Sequence, residues 1–235
     1  MTSALFDRGA SRYDLLVGLN PGYHAELRRA AQALAGRATH HSTQRLIDLA
    51  CGSGASTRSL LDAAGGDVEV LGLDASAGML AAAAAKDWPA GTTFAQATAG
   101  ELEVAAFDPG SWDGIQAAYL YRNVPEAKRD TALSEAWQLL TPGGWLVAQD
   151  YSVAGRPLAR WRWHLTCWLV IIPLGLLLDH NVSLYCYLWR SVLDFDSVQA
   201  FGDRLAAAGF VDIARQGAGG WQQGILHTFV ARKPL

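Results

Sequence analysis

The sequence predicts an α/β fold with a mostly parallel sheet and helices on both faces, and three observations carry that prediction. Short apolar runs alternate with helix-length amphipathic stretches from about residue 45 to the C-terminus, the pattern of successive βαβ units. The first such run, Leu46-Ile47-Asp48-Leu49, passes directly into Ala50-Cys51-Gly52-Ser53-Gly54, where glycines permit a tight turn and close approach of the backbone to a ligand. The second, Leu71-Gly72-Leu73, ends in Asp74, twenty positions after Gly54, where an acid on a nucleoside-binding sheet accepts hydrogen bonds from ribose hydroxyls.

Taken in order, residues 1–40 hold Tyr13-Asp14 and then a helix-like run from about Tyr23 to Leu34, either a covering helix or a lid that brings Tyr13 to the substrate. A strand over 45–50 leads to a helix at about 56–63, and a strand over 68–73 to a helix at about 76–86. Phe94 to Ala97 reads as the third strand and Trp112 to Ala118 as the fourth, followed by a helix at about 126–140. Thr141-Pro142-Gly143-Gly144 is a turn signal, after which Trp145 to Gln149 forms the fifth strand. Residues 152–195 break the rhythm. Leu165 to Leu178 is an apolar run of 14 residues interrupted by Pro173 and Gly175, short of the roughly 20 that a spanning helix needs, so a core helix, a pocket lid and an interfacial segment all remain open. Beyond Asp196 a helix at about 197–208 ends at Gly209, and 210–213 with 227–231 closes the sheet as an antiparallel hairpin, the sixth and seventh strands. Ligands on such a sheet bind at the carboxyl ends of the strands, an edge that holds Cys51 to Ser56, Asp74, Thr98 and Tyr119 to Asn123.

Composition narrows the function classes. The chain of 235 residues is 51% hydrophobic and 17% charged, a globular composition compatible with a single domain over 1–235, with an N-terminal lid at about 1–40 and an aromatic lid insertion at about 152–195. A formal charge of −3, with 16 arginines spread along the chain, gives no basic stripe and argues against a nucleic-acid partner. Cys51, Cys167 and Cys186 lack CxxC spacing and are odd in number, which disfavours a disulfide framework or structural zinc and fits a reducing compartment. Charged residues at Asp7, Arg8, Arg12 and Asp14 occupy the place of a signal peptide's apolar run, so the expected location is cytoplasmic, with peripheral membrane contact through 161–178 and a homodimer as further expectations. No His, Asp or Glu cluster has metal-ligand spacing.

The glycine turn lacks the third glycine of a dinucleotide fingerprint, because Thr57 stands there. Leu46 to Gly54, together with Gly72-Leu73-Asp74-Ala75-Ser76-Ala77-Gly78-Met79-Leu80, resembles the class I S-adenosylmethionine-dependent methyltransferases. Tyr13-Asp14, Arg122-Asn123-Val124, Leu139 to Gly144, Ile172 to Gly175, Tyr185 to Leu188, Ala208-Gly209-Phe210 and the late Gly220 and His227 resemble, more narrowly, the quinone-ring C-methyltransferases of ubiquinone and menaquinone biosynthesis. The resemblance implies a Rossmann-like, seven-stranded class I fold with S-adenosyl-L-methionine as cofactor. It implies cofactor contacts from Asp48, Ala50, Gly52, Gly54, Asp74, Ala75, Met79, Thr98 and Tyr119. The implied reaction is methyl transfer to a lipophilic aromatic small molecule, at a carbon of a quinol-type ring. Thr98 departs from the family's Asp or Asn, Tyr121 replaces its leucine, and the lid is unusually rich in tryptophan.

Ring methylation requires an electron-rich carbon beside an ionised hydroxyl. A cation near that oxygen stabilises it, a role that suits Arg122, with Asn123 orienting a water or the ring oxygen and Tyr13 closing the site. An arginine cannot act as a base near neutrality. His180 is the candidate proton acceptor and His227 a second one, since an ordinary imidazole titrates near pH 6.5. Alternatives on the same scaffold are a secondary-metabolite C-, N- or O-methyltransferase and an enzyme that binds the cofactor yet catalyses a non-methylating, for example pericyclic, step.

Overall fold

The computed structural model describes residues 20, 22–38, 43–179 and 182–235. Seven strands form one sheet in the order β3-β2-β1-β4-β5-β7-β6. They are β1 (Gln44–Leu49), β2 (Val68–Asp74), β3 (Thr92–Gln96), β4 (Trp112–Ala118), β5 (Leu140–Tyr151), β6 (Val211–Gly217) and β7 (Leu226–Arg232). The first five run parallel, and β7 is antiparallel to both β5 and β6. This is the mostly parallel sheet that the alternation predicts, with the seven strands that the resemblance implies. The terminal strands pair as the expected hairpin, with β7 beside β5 and β6 at the edge of the sheet.

Burial explains why the centre was readable. Every residue of β4 is buried, as are the last four of β1, so these strands appear in sequence as near-continuous apolar runs. Gly72 in β2 sits where a Cβ would come within 2.5 Å of the Phe94 ring, so β2 and its neighbours close only around a glycine. The turn signal at 141–144 falls inside β5. Leu140 pairs with Trp112 and Trp145 with Gly114, and the four residues between bulge outward through Gly143 at φ +79°.

Helices cover both faces. Helix α1 (Tyr23–Ala35) buries Tyr23, Leu27, Ala30, Ala31 and Leu34, a 3.6-residue stripe, and sets Leu34 over Gly114 of β4, where a Cβ would lie 2.7 Å from the leucine. Helix α2 (Ala55–Ala64) adds Leu60 and Leu61 to the same cluster. Helix α3 (Ala77–Ala84) follows β2 and starts on a Ser76 cap. A second cluster joins α4 (Glu126–Leu139), through Leu133 and Leu139, to Phe201 of α8 (Val198–Ala207) and Phe229 of β7. Between β5 and α8 stand α5 (Pro157–Thr166), a π-helical turn (Cys167–Ile171), α6 (Ile172–Asp179) and α7 (Val182–Leu193). Asp196 fastens this helical layer to the sheet domain. Its half-buried carboxylate accepts from Arg129 at 2.9 Å and Arg204 at 2.8 Å, and its carbonyl accepts from the Ser152 hydroxyl at 2.7 Å. No described helix is long and apolar enough to cross a membrane.

Candidate active site

Two adjoining cavities open at the carboxyl edge of the sheet. The first, of about 290 Å³, is bounded by the glycine turn, the end of β2, the loop after β3 and the 119–125 segment after β4. Leu49 ends β1, and the chain then takes left-handed backbone at Ala50 (φ +67°), Gly52 (φ +55°) and Gly54 (φ +92°), while the Ala50 and Cys51 amides both donate to the Leu73 carbonyl. The two glycines serve different ends. A Cβ on Gly52 would meet nothing within 4 Å, so this position faces open space in the cleft. A Cβ on Gly54 would lie 2.6 Å from the Trp88 ring, so Gly54 is required for packing the turn against Trp88 and does not line the cleft.

Asp48 is likewise placed below the cleft rather than in its wall. Its fully buried carboxylate accepts from the Ser56 hydroxyl at 2.7 Å and the Thr57 hydroxyl at 2.6 Å, and burial pushes its pKa up to about 6. The Thr57 that stands in place of a third glycine thus supplies a hydroxyl to Asp48, which ties the start of α2 to β1. Asp74 is aimed by backbone. One carboxylate oxygen accepts from the Gly52 amide and the other from the Ser76 amide, both at 2.8 Å. A carboxylate in this place is an acceptor of the kind a ribose hydroxyl requires. Ala75, buried Met79 and Thr98 continue the wall. The loop bearing Thr98 is fixed from behind by Glu135 of α4, which accepts from the Gly100 amide at 2.7 Å and the Leu102 amide at 2.9 Å. A Glu101–Lys128 ion pair, which holds the Glu101 carboxyl below its ordinary pKa, lies at the rim. A cleft of this size, with an acid at the ribose position, an apolar flank at Met79 and a glycine floor, fits an adenosyl cofactor.

The second cavity, of about 450 Å³, lies under the helical layer and shares Tyr23, Tyr119 and Arg122 with the first. Its inner wall is an aromatic column. Tyr23 stacks on Tyr119 with centroids 5.4 Å apart, Tyr119 packs on Tyr151 at 5.2 Å, and Tyr151 on Trp163 at 5.4 Å. Its outer wall comes from the π-helical turn, α6 and α7. Gly175 lets α6 press against the Tyr185 ring. Burial raises the pKa of Tyr119 and of Tyr151, so both hydroxyls stay protonated at neutrality.

Arg122 lies where the two cavities meet. Its guanidinium donates to Asp150 at 2.7 Å and to the Tyr119 carbonyl at 3.0 Å, and lies over the Tyr119 and Tyr151 rings. Asn123 is engaged at both ends of its amide. Its Nδ2 donates to the Tyr119 carbonyl at 2.8 Å, and its Oδ1 accepts from the Tyr187 hydroxyl at 3.1 Å, which links the 119–123 segment to α7. Tyr13 and His180 lie outside the described residues. His227 lines neither cavity. It is buried in β7 opposite Asp150, and burial, with Arg156 and Arg215 nearby, pushes its pKa down to about 4. Among the described residues, no histidine or carboxylate lines the lid cavity, and no group of three His, Cys, Asp or Glu forms a metal site.

Sequence reasoning missed Asp150, Tyr23, Tyr151 and Glu135. Asp150 carries the signal that marked Asp74, an acid at the carboxyl end of a buried parallel strand. The others owe their place to tertiary packing alone.

Comparison with known proteins agrees with this geometry. The family model for the ubiE/COQ5 methyltransferase family matches residues 2–233. The chain is 31% identical to the demethylmenaquinone methyltransferase of Clavibacter sepedonicus over 90% of this chain and 82% of that one. It is 30% identical to the ubiquinone/menaquinone biosynthesis C-methyltransferase UbiE of Methylobacterium nodulans over 90% of this chain and 83% of that one. Among solved structures, phosphoethanolamine N-methyltransferase 2 of Haemonchus contortus, in complex with S-adenosyl-L-methionine, superposes with a TM-score of 0.66 at 20% identity. The match covers 97% of this chain and 57% of that one, so this chain spans little more than half of that enzyme, and the likeness bears on the fold.

Proposed function

The chain belongs to the ubiE/COQ5 methyltransferase family, and from that premise we propose that it methylates a ring carbon of a lipophilic quinol-type aromatic in quinone biosynthesis. It is an S-adenosylmethionine-dependent methyltransferase. The observation that carries the substrate class is the lid cavity, apolar and aromatic in its lining and joined to the cofactor cleft at Tyr119 and Arg122.

When bound, the cofactor supplies an electrophilic methyl group. Asp74 holds the ribose end, and the glycine turn leaves room at Gly52. The aromatic column presents flat faces against which an acceptor ring stacks. Fixing the ring this way turns an encounter into an aligned, intramolecular-like step. Arg122 is held by Asp150 and therefore acts on a ring oxygen through a fixed hydrogen bond rather than a full uncompensated charge. The Tyr119 hydroxyl, protonated and buried, donates to the same region. Asn123 acts as a positioning residue, bracing the Tyr119 carbonyl and α7. With no base in the described lid cavity, the ring proton leaves by way of solvent or His180, the acceptor expected from the sequence.

The test is a single-turnover assay with methyl-labelled S-adenosylmethionine and a short-tailed demethylated quinol kept reduced. The expected result is release of S-adenosylhomocysteine and a label on a ring carbon. A label on oxygen, or product without S-adenosylhomocysteine, would overturn the reading.

A further inference from the structure

Residues Pro157 to Asp179 run through α5, the π-helical turn and α6 without a break. The inward side is apolar, with Ala159, Trp163 and Cys167 buried at four-residue spacing. The outward side is apolar too. Leu158 (70% exposed), Trp161 (59%), Leu165, Trp168 (53%) and Leu169 (70%) recur at intervals of three and four, and Leu177 (73%) extends the surface along α6. Large apolar side chains thus face outward along this stretch, interspersed with exposed Arg160, and a surface of that kind favours an apolar or interfacial medium.

From this face we infer that the 158–177 surface is an interfacial docking site for an anionic phospholipid bilayer, lying in the headgroup plane rather than spanning it. Charge selects that occupant. Between Asp150 and Asp179 the sequence carries Arg156, Arg160 and Arg162 and no Asp or Glu, in a chain whose net charge is −3. Arg160, on the same helix as Leu158, Trp161 and Leu165, is exposed. Basic residues flanking exposed Trp and Leu are the composition of helices that lie in membrane interfaces.

The cavity supplies a second argument. Val170 and Leu174 line the lid cavity and are also exposed, so the cavity wall is continuous with the docking face. The π-helical turn lies at that junction, a distortion frequent at functional sites. A lipid-soluble acceptor then passes from the bilayer into the cavity between α6 and the turn without crossing water. That route rests on the acceptor reading given above. The docking itself rests on the surface alone.

The experiment is vesicle flotation of the full chain with phosphatidylcholine vesicles, with and without phosphatidylglycerol. It compares the native chain, the triple variant Leu158→Ser/Leu169→Ser/Leu177→Ser and the charge variant Arg160→Glu. None of these positions lines either cavity, so S-adenosylmethionine affinity, measured alongside, should be unchanged and confirms folding. The native chain should float with phosphatidylglycerol-containing vesicles and be released by salt. The triple variant should bind about tenfold or more weakly, and Arg160→Glu should lose the phosphatidylglycerol preference. Native protein that ignores both vesicles, variants that bind like native, or a native dimer broken by the triple variant without vesicle binding would each overturn it. Vesicle binding without quinol methylation would leave the docking intact and sink only the acceptor reading.

Discussion

One carboxylate holds both the main chain and the side chain of Arg122. Asp150 accepts the Arg122 backbone amide at 3.0 Å on one oxygen and its guanidinium at 2.7 Å on the other, and both residues are buried. Because β5 delivers Asp150 and β4 delivers the segment bearing Arg122, the position of the guanidinium is set by the register of two central parallel strands. Such a charge-assisted contact is shorter and stronger than a neutral one.

Asp150→Asn should keep the fold and the backbone contact but loosen the guanidinium. Losing a hydrogen bond to a charged group costs about 1.5–3 kcal/mol, so turnover should drop about tenfold or more. S-adenosylmethionine affinity by calorimetry should stay near native. Equal turnover in the variant would remove Asp150 from any positioning role.

Asp74→Ala should weaken cofactor binding about tenfold or more, since it removes the acceptor for the ribose and frees the Gly52 and Ser76 amides. Binding isotherms check this. An unchanged dissociation constant would contradict the assignment of the first cavity.

Tyr119→Phe should leave thermal stability within about 1 kcal/mol of native, because it removes a neutral hydroxyl beside that of Tyr151 and keeps the ring in its stack between Tyr23 and Tyr151. It should lower turnover on the quinol with little change in cofactor affinity. A large fall in stability instead would make the hydroxyl structural.

Two buried groups give opposite pH dependences in one window. Asp48 titrates at about 6 in the fold against an ordinary value of 3.8, so the native state holds the extra proton, and its contribution to stability is present below about pH 4 and lost as pH rises towards 6. His227 titrates at about 4 against 6.5, so the unfolded state holds the extra proton, and its contribution is present above about pH 6.5 and lost as pH falls towards 4. Relative to native, Asp48→Asn should therefore make stability rise more steeply with pH between 4 and 6, and His227→Gln should make it rise less steeply or fall. Denaturant melts across that range test the pair, and parallel profiles for the two variants would refute it.

The fold was legible where local pattern and tertiary role coincide. The buried strands β1, β2, β4 and β5 read as apolar runs, and Asp74 announced itself by ending one of them at the right distance from a glycine turn. Periodicity carries no pairing order, so the insertion of β7 between β5 and β6 was not visible. Nor was the division of labour between Gly52 and Gly54, which depends on Trp88, a residue 34 positions beyond Gly54. The aromatic column joins Tyr23, Tyr119, Tyr151 and Trp163 from four separate segments; Tyr119 stood out at its strand end and Trp163 in the tryptophan-rich stretch, but their stacking on one another is a tertiary property. His227 looked like a base by residue type. Its burial in β7, away from either cavity, is a property of the assembled sheet.

The place of β7 also bears on how the molecule is made. Strand β6 pairs with β7, and β7 joins it to β5. Lys233, just beyond, exchanges backbone hydrogen bonds with Gly143 and Gly144 and donates its ammonium to the Leu140 carbonyl. During synthesis the chain therefore emerges with β6 unpaired and the outer edge of β5 open until residues 226–233 have left the ribosome. Translation that stalls or terminates shortly before that point releases a polypeptide with the cofactor half assembled and two naked strand edges, a species prone to aggregate rather than one that is merely less active.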